Sequence, residues 1–180
     1  VAILALLTAS ATTARGFIDP TFTPVDLVEQ SDVVLRVEFA DANEEGTGLA
    51  QVKEVVKGDY EGDSVTVEFM AMGEALAAPS REVMGWIAGG QREALLFIGA
   101  FITEGGGGGE RLGYLHVAGK WVVLAEWEGS WDMERIDARL LGCWAGSTDM
   151  LLRCVRYILE NDNAAVPVTA GAVWQPETRF

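Results

Sequence analysis

Residues 49–69 (LAQVKEVVKGDYEGDSVTVEF) constrain the fold more than any other stretch. Val65, Val67 and Phe69 recur with period two, the pattern of a strand buried on one face. A preceding strand near residues 49–56 breaks its alternation at Glu54, Val55 and Val56. An extra residue there, a β-bulge, would add twist and help a sheet coil into a barrel. The polar turn 57–63 joins the two strands, and their apolar faces must close onto something. The rest of the chain is read as the material that closes them.

Thr23 and Pro24 open a short helix that runs to about Gln30, with Thr23 as N-cap, Pro24 at the first helical position and Asp26 near the positive end of the dipole. Phe22 and Leu27 have the spacing of a hydrophobic staple. Val33, Leu35, Val37 and Phe39 then alternate with polar residues as a strand. Residues 74–78 and 81–87 read as two short helical pieces separated at Pro79. Residues 94–98 (ALLFI) form a continuous apolar run, expected of a strand covered on both sides. Residues 111–117 and 120–127 read as a hairpin around Ala118-Gly119. Ile136 to Leu141 fits strand or helix. Ser147 or Thr148 then caps a helix over about 149–161, with Met150, Leu151, Cys154, Val155 and Ile158 as its apolar stripe. The sum is five or six strands with a short leading helix and a closing helix: a mainly β barrel.

The ends carry a different signal. Residues 1–7 (VAILALL) are apolar and 8–14 (TASATTA) small and polar, which matches the apolar and cleavage regions of a secretory signal peptide. The run falls well short of the roughly 20 residues of a membrane helix. The expected division is a signal peptide at 1–14, a barrel domain at 15–128 and a helical extension packed on it at 129–180. No Met or basic segment precedes Val1 and no recognisable stop follows Phe180, so the chain is expected to extend in both directions. Localisation is expected to be secreted or periplasmic.

Charge removes one class of partner. The 13 Lys and Arg stand against 27 Asp and Glu, a net charge of −14, and give no basic footprint for nucleic acid. The same field opposes docking on anionic membranes, and no membrane insertion of the mature domain is expected.

Four stretches, taken in order, resemble the netrin-like, tissue-inhibitor-of-metalloprotease-like OB barrels of exported bacterial proteins. They are Gln30-Ser31-Asp32-Val33-Val34-Leu35-Arg36-Val37, Val52-x-Glu54-Val55-Val56-Lys57-Gly58, Gly62-Asp63-x-Val65-x-Val67, and Arg92-Glu93-Ala94-Leu95-Leu96-Phe97-Ile98. The match spans about residues 25–124, and implies an OB-like barrel and export. The animal inhibitors chelate their target's zinc through an N-terminal cysteine. This chain has no cysteine near its mature start, so that mechanism does not carry over.

Few residues bear chemistry. His116, the sole histidine, sits mid-strand, where an ordinary strand residue is the first reading and a base for Cys143 the second. Cys143 and Cys154 fit no zinc spacing and read as a disulfide, worth roughly 3 kcal/mol for so short a loop, or else as two buried thiols. Asp59, Glu61 and Asp63, like Asp41, Glu44 and Glu45, lack the spacing of a calcium loop. Gly105 to Gly109 lacks the Lys-Ser/Thr ending of a phosphate loop. No cofactor or metal is expected. Of six tryptophans, Trp127, Trp131 and Trp144 lie within two residues of Gly or Ser and are the candidate ligand contacts. The expected function is a non-enzymatic interaction or scaffold module with an unidentified protein or polysaccharide partner. A carbohydrate-binding module using those tryptophans is the alternative, and an enzyme around His116 comes third.

Overall fold

The structure, a computed structural model, describes residues 23–40, 46–70, 74–101, 111–137, 140–141, 143–162 and 164, with backbone alone at 74–77. The segment 1–14, Phe22, the acidic residues Asp41, Glu44 and Glu45, the glycine tract 105–109 and Trp174 lie outside these residues.

Seven strands close a barrel: β1 (Val33–Phe39), β2 (Thr47–Lys57), β3 (Ser64–Glu68), β4 (Glu93–Gly99), β5 (Leu112–Val117), β6 (Lys120–Trp127) and β7 (Ser130–Ile136). Their order around the barrel is β1-β2-β3-β7-β6-β5-β4, and β4 returns to β1. Every neighbouring pair is antiparallel except β3 and β7, which run parallel and meet at Val67 and Trp131. The barrel class agrees with the sequence reading, but the count of five or six strands does not. The added stave is β7, beyond residue 128, where the barrel was expected to end. Charged residues surround its inward-facing Trp131 and Met133, which hid the strand in the sequence.

The irregularity in residues 49–56 is real and double. Along the β1–β2 ladder Val34 faces Lys57 but Leu35 faces Val55, and Arg36 faces Glu54 but Val37 faces Val52. Val56 and Lys53 are therefore the extra residues of β2, each adding twist where the sheet must curl.

Three helices complete the fold: α1 (Pro24–Gln30), α2 (Glu74–Ala88) and α3 (Thr148–Glu160). Helix α2 is continuous through Pro79, where two pieces were expected. A proline removes one helical hydrogen bond and crowds the preceding turn. Here tertiary burial outweighs that cost: Val83 and Ile87 enter the barrel interior, and the buried Ser80 hydroxyl donates to the Phe69 carbonyl.

Two apolar cores result. The first fills the barrel with side chains such as Leu35, Val37, Phe39, Val67, Leu96, Leu115, Leu124, Trp131 and Met133, together with the α2 residues. The second lies outside, where Val34, Leu95, Phe97, Trp121 and Val123 meet Leu27 and Val28 of α1 and Leu151, Leu152, Val155 and Ile158 of α3. The run 94–98 is thus covered on both faces, Ala94, Leu96 and Ile98 inward and Leu95 and Phe97 outward.

Helix α1 begins as its sequence indicates. The Asp26 carboxylate accepts from Thr23 N–H at 2.7 Å, and Thr23 Oγ1 accepts from Asp26 N–H at 3.3 Å, a reciprocal capping box. Its other end has no glycine cap. Lys57 Nζ instead donates to the carbonyls of Val28 at 2.7 Å and Ser31 at 2.5 Å. A cation on the negative end of the helix, satisfying carbonyls that would otherwise lack donors, is favourable on both counts.

Candidate functional site

The residues with chemical potential converge on the seam between the barrel and the start of α3. Ser147 caps α3, its Oγ accepting from Met150 N–H at 3.3 Å. The segment leading into that cap hangs from the barrel by tryptophans. Trp121 Nε1 donates to the Trp144 carbonyl at 2.9 Å, and Trp144 Nε1 donates to the Ser147 carbonyl at 3.2 Å. Farther along α3, Arg156 holds both carboxylate oxygens of Glu54 at 2.9 and 2.7 Å and ties the helix to β2.

His116 lies within this seam, on β5 between Leu95 of β4 and Trp121 of β6. Its ring is fully buried and stands edge-on to Trp121, with centroids 4.7 Å apart. Nδ1 is 3.0 Å from Thr148 Oγ1, the first residue of α3. Among the described residues Nε2 has no hydrogen-bond partner. Burial pulls the imidazole from its ordinary 6.5 down to about 4, so the ring is neutral at pH 7.

A histidine beside a hydroxyl at a helix N-terminus has the outline of a base and its nucleophile. Among the described residues the second half of such a device has no counterpart. An activating histidine needs an acceptor on its other nitrogen to orient it and stabilise the imidazolium, and Nε2 is orphaned among the described residues. The contact to Thr148 joins two structural elements.

Cys143 is buried, and burial pushes its thiol up to about 12, far from a nucleophilic thiolate at neutral pH. Cys143 and Cys154 are both free, which corrects the expected disulfide. Both belong to the second core, Cys143 in it and Cys154 packed against it, and serve there as small apolar side chains.

Above Thr148 opens a shallow groove of about 590 Å³, lined by Gly90, Arg92, Glu93, Gly119, Ser147 and Thr148 among others. It lies where the α2–β4 connection, the β5–β6 turn and the start of α3 meet. Arg92 and Glu93 are its charged residues, and Glu93 is held by Arg36 at 2.6 Å. Among the described residues no three His, Cys, Asp or Glu side chains are gathered as a metal site. Asp59, Glu61 and Asp63 are each exposed on the β2–β3 turn.

The three candidate tryptophans separate completely. Trp131, 5% exposed, points into the barrel. Trp144 is half-buried and holds the α3 cap. Trp127 is 65% exposed and stands at the tip of the β6–β7 hairpin. Trp127 and Ser130 face each other across a two-residue loop in which Glu128 has φ 48° and Gly129 φ 89°. Positive φ at both positions is the type I′ turn, whose twist matches that of the flanking strands. Ser130 Oγ also donates to the Trp127 carbonyl at 3.0 Å. A large aromatic is thereby carried into solvent by a tight backbone turn.

The seam contacts have no local signature. His116 and Thr148 are 32 residues apart, and Trp121 is 23 from its acceptor, so only the closed barrel joins them. Among the described residues no helix is long and apolar enough to cross a membrane. No family model matches the chain, and neither does any curated protein or solved structure.

Proposed function

We propose that this chain is an exported, non-enzymatic interaction module on an OB-like barrel, and that Trp127 is its principal contact. The single observation behind this reading is the presentation of Trp127. An indole 65% exposed and held by a tight turn pays little ordering entropy on binding, the property of a hot-spot residue. The buried states of His116 and Cys143 support a binding role over a catalytic one. Export rests on the composition of residues 1–14. The OB-like reading draws support from a barrel of mixed pairing whose end is sealed by a helix between β3 and β4.

The test compares the full chain with Trp127→Ala, each immobilised and exposed to secreted proteins and to a polysaccharide panel. An exposed residue contributes little to stability, so the variant should melt within about 0.5 kcal/mol of the parent. Its affinity for the partner should fall by 2 kcal/mol or more, about thirtyfold. Loss confined to a polysaccharide identifies the partner as a sugar. Equal retention of every ligand by both proteins, or turnover of any of them, contradicts the proposal.

A further inference from the structure

The two cores are separable in a way that gives His116 a second meaning. The barrel interior draws on all seven strands and on α2, whereas α3 buries its apolar stripe in the outer core. Helix α3 can therefore leave without opening the barrel. His116 stands at that boundary, touching α3 through Thr148 and Trp121 through its ring edge.

Protonation would turn both ring nitrogens into donors. Nδ1 would stay against Thr148 Oγ1, and Nε2 would carry an N–H with no acceptor among the described residues. The new charge would be fully buried, beside the first turn of α3, where the helix dipole is already positive. We infer that His116 is an acid-sensitive latch, holding α3 on the barrel while its ring is neutral and releasing α3 when the ring takes a proton. Release uncovers the outer core and leaves the barrel closed.

The charged and titratable groups on the surrounding elements do not oppose this. They are Arg92 before β4, Glu93 on β4, Tyr114 on β5, Lys120 and Glu126 on β6, Cys143 ahead of α3, and Asp149, Arg153, Cys154, Arg156, Tyr157 and Glu160 on α3. Glu93 is paired with Arg36 and Asp149 with Arg153. Burial pushes both thiols up, so they stay neutral on acidification. Burial is also what lowers the proton affinity of the ring.

The sign follows from linkage. Docked, the ring titrates at about 4; released and exposed, it returns to 6.5. The released form therefore binds more protons throughout that interval. Docking is strongest above pH 6.5 and weakens by up to about tenfold per pH unit below it, reaching about 160-fold at pH 4 and levelling off near about 300-fold at lower pH.

Hydrogen exchange on the full chain between pH 7.5 and 4, expressed as protection factors, tests the latch. Amides of α3 should lose about 40-fold in protection between pH 6.5 and 4.5 while those of β1 do not. His116→Gln, which cannot titrate, should remove that dependence to within about threefold. If that variant does not fold, the NMR titration of the sole imidazole in the parent protein decides, with an expected midpoint near 4. A ring titrating near 6.5 in the folded protein, α3 and β1 losing protection in step, or a glutamine variant with the parental pH dependence each overturns the latch.

Discussion

Gly58→Ala is expected to lower the unfolding free energy by roughly 3–5 kcal/mol, as a fall in the urea midpoint with an unchanged m-value. Two costs combine. Gly58 has φ +76°, a region in which an L side chain loses about 1–2 kcal/mol. A Cβ at this position would also run into the carbonyl oxygen of Asp32 and approach the Cα of Val33. Both are main chain at the entry to β1, and they cannot move aside as a flexible side chain would. The neighbouring Lys57 caps α1 from the same turn, so displacement there loosens the helix as well. Gly85 is the control. It lies exposed in α2 with open space around its Cβ direction, and Gly85→Ala should stabilise by about 0.5–1 kcal/mol.

Trp121→Ala should have an effect of similar size through a different mechanism. Trp121 is 1% exposed, and truncating a buried tryptophan typically costs about 3–5 kcal/mol through lost transfer energy and the cavity left behind. Three further contacts fail with it: the ring packing on Phe97, the edge contact with His116 and the hydrogen bond to the Trp144 carbonyl. That carbonyl lies in the segment that feeds the α3 cap, so the damage should concentrate on α3. For a chain of this size the melting temperature should drop by about 10 °C. Trp121→Phe keeps most of the apolar volume and removes the N–H, and should cost about 1–3 kcal/mol. Near-equal losses for the two variants would mean that the hydrogen bond, rather than the packing, holds the seam.

How far these features were legible depends on the range of the interactions that make them. The alternation of Val33, Leu35, Val37 and Phe39 and the apolar run at 94–98 report local periodicity against a buried surface, and both strands stand where they were read. The α1 capping box is likewise a four-residue signal. Strand β7 is different. It pairs with β3 in parallel across more than sixty positions, and Asp132, Glu134 and Arg135 conceal the two side chains it buries. The Glu128-Gly129 turn that begins it lacks the usual Asn-Gly, so neither the hairpin nor the opposite fates of Trp127 and Trp131 could be seen locally. The Val-Val-Lys-Gly stretch was visible as a motif, but its work was not. Lys57 reaches carbonyls 26 and 29 residues away, and Gly58 makes room for the turn into β1. The cysteines show the converse case. Their spacing permits a bridge, yet the outer core uses both as apolar fillers.

Among the described residues the tryptophans divide between those that build the fold and Trp127, which is displayed to solvent. Oxidative footprinting of the native protein, read residue by residue by mass spectrometry, measures that division directly. Of the described tryptophans, Trp127 should be modified fastest, the half-buried Trp86 and Trp144 more slowly, and Trp121 and Trp131 only under conditions that unfold the protein. Modification of Trp131 or Trp121 as fast as that of Trp127 in the native state would contradict both the closed barrel and the role assigned to its hairpin tip.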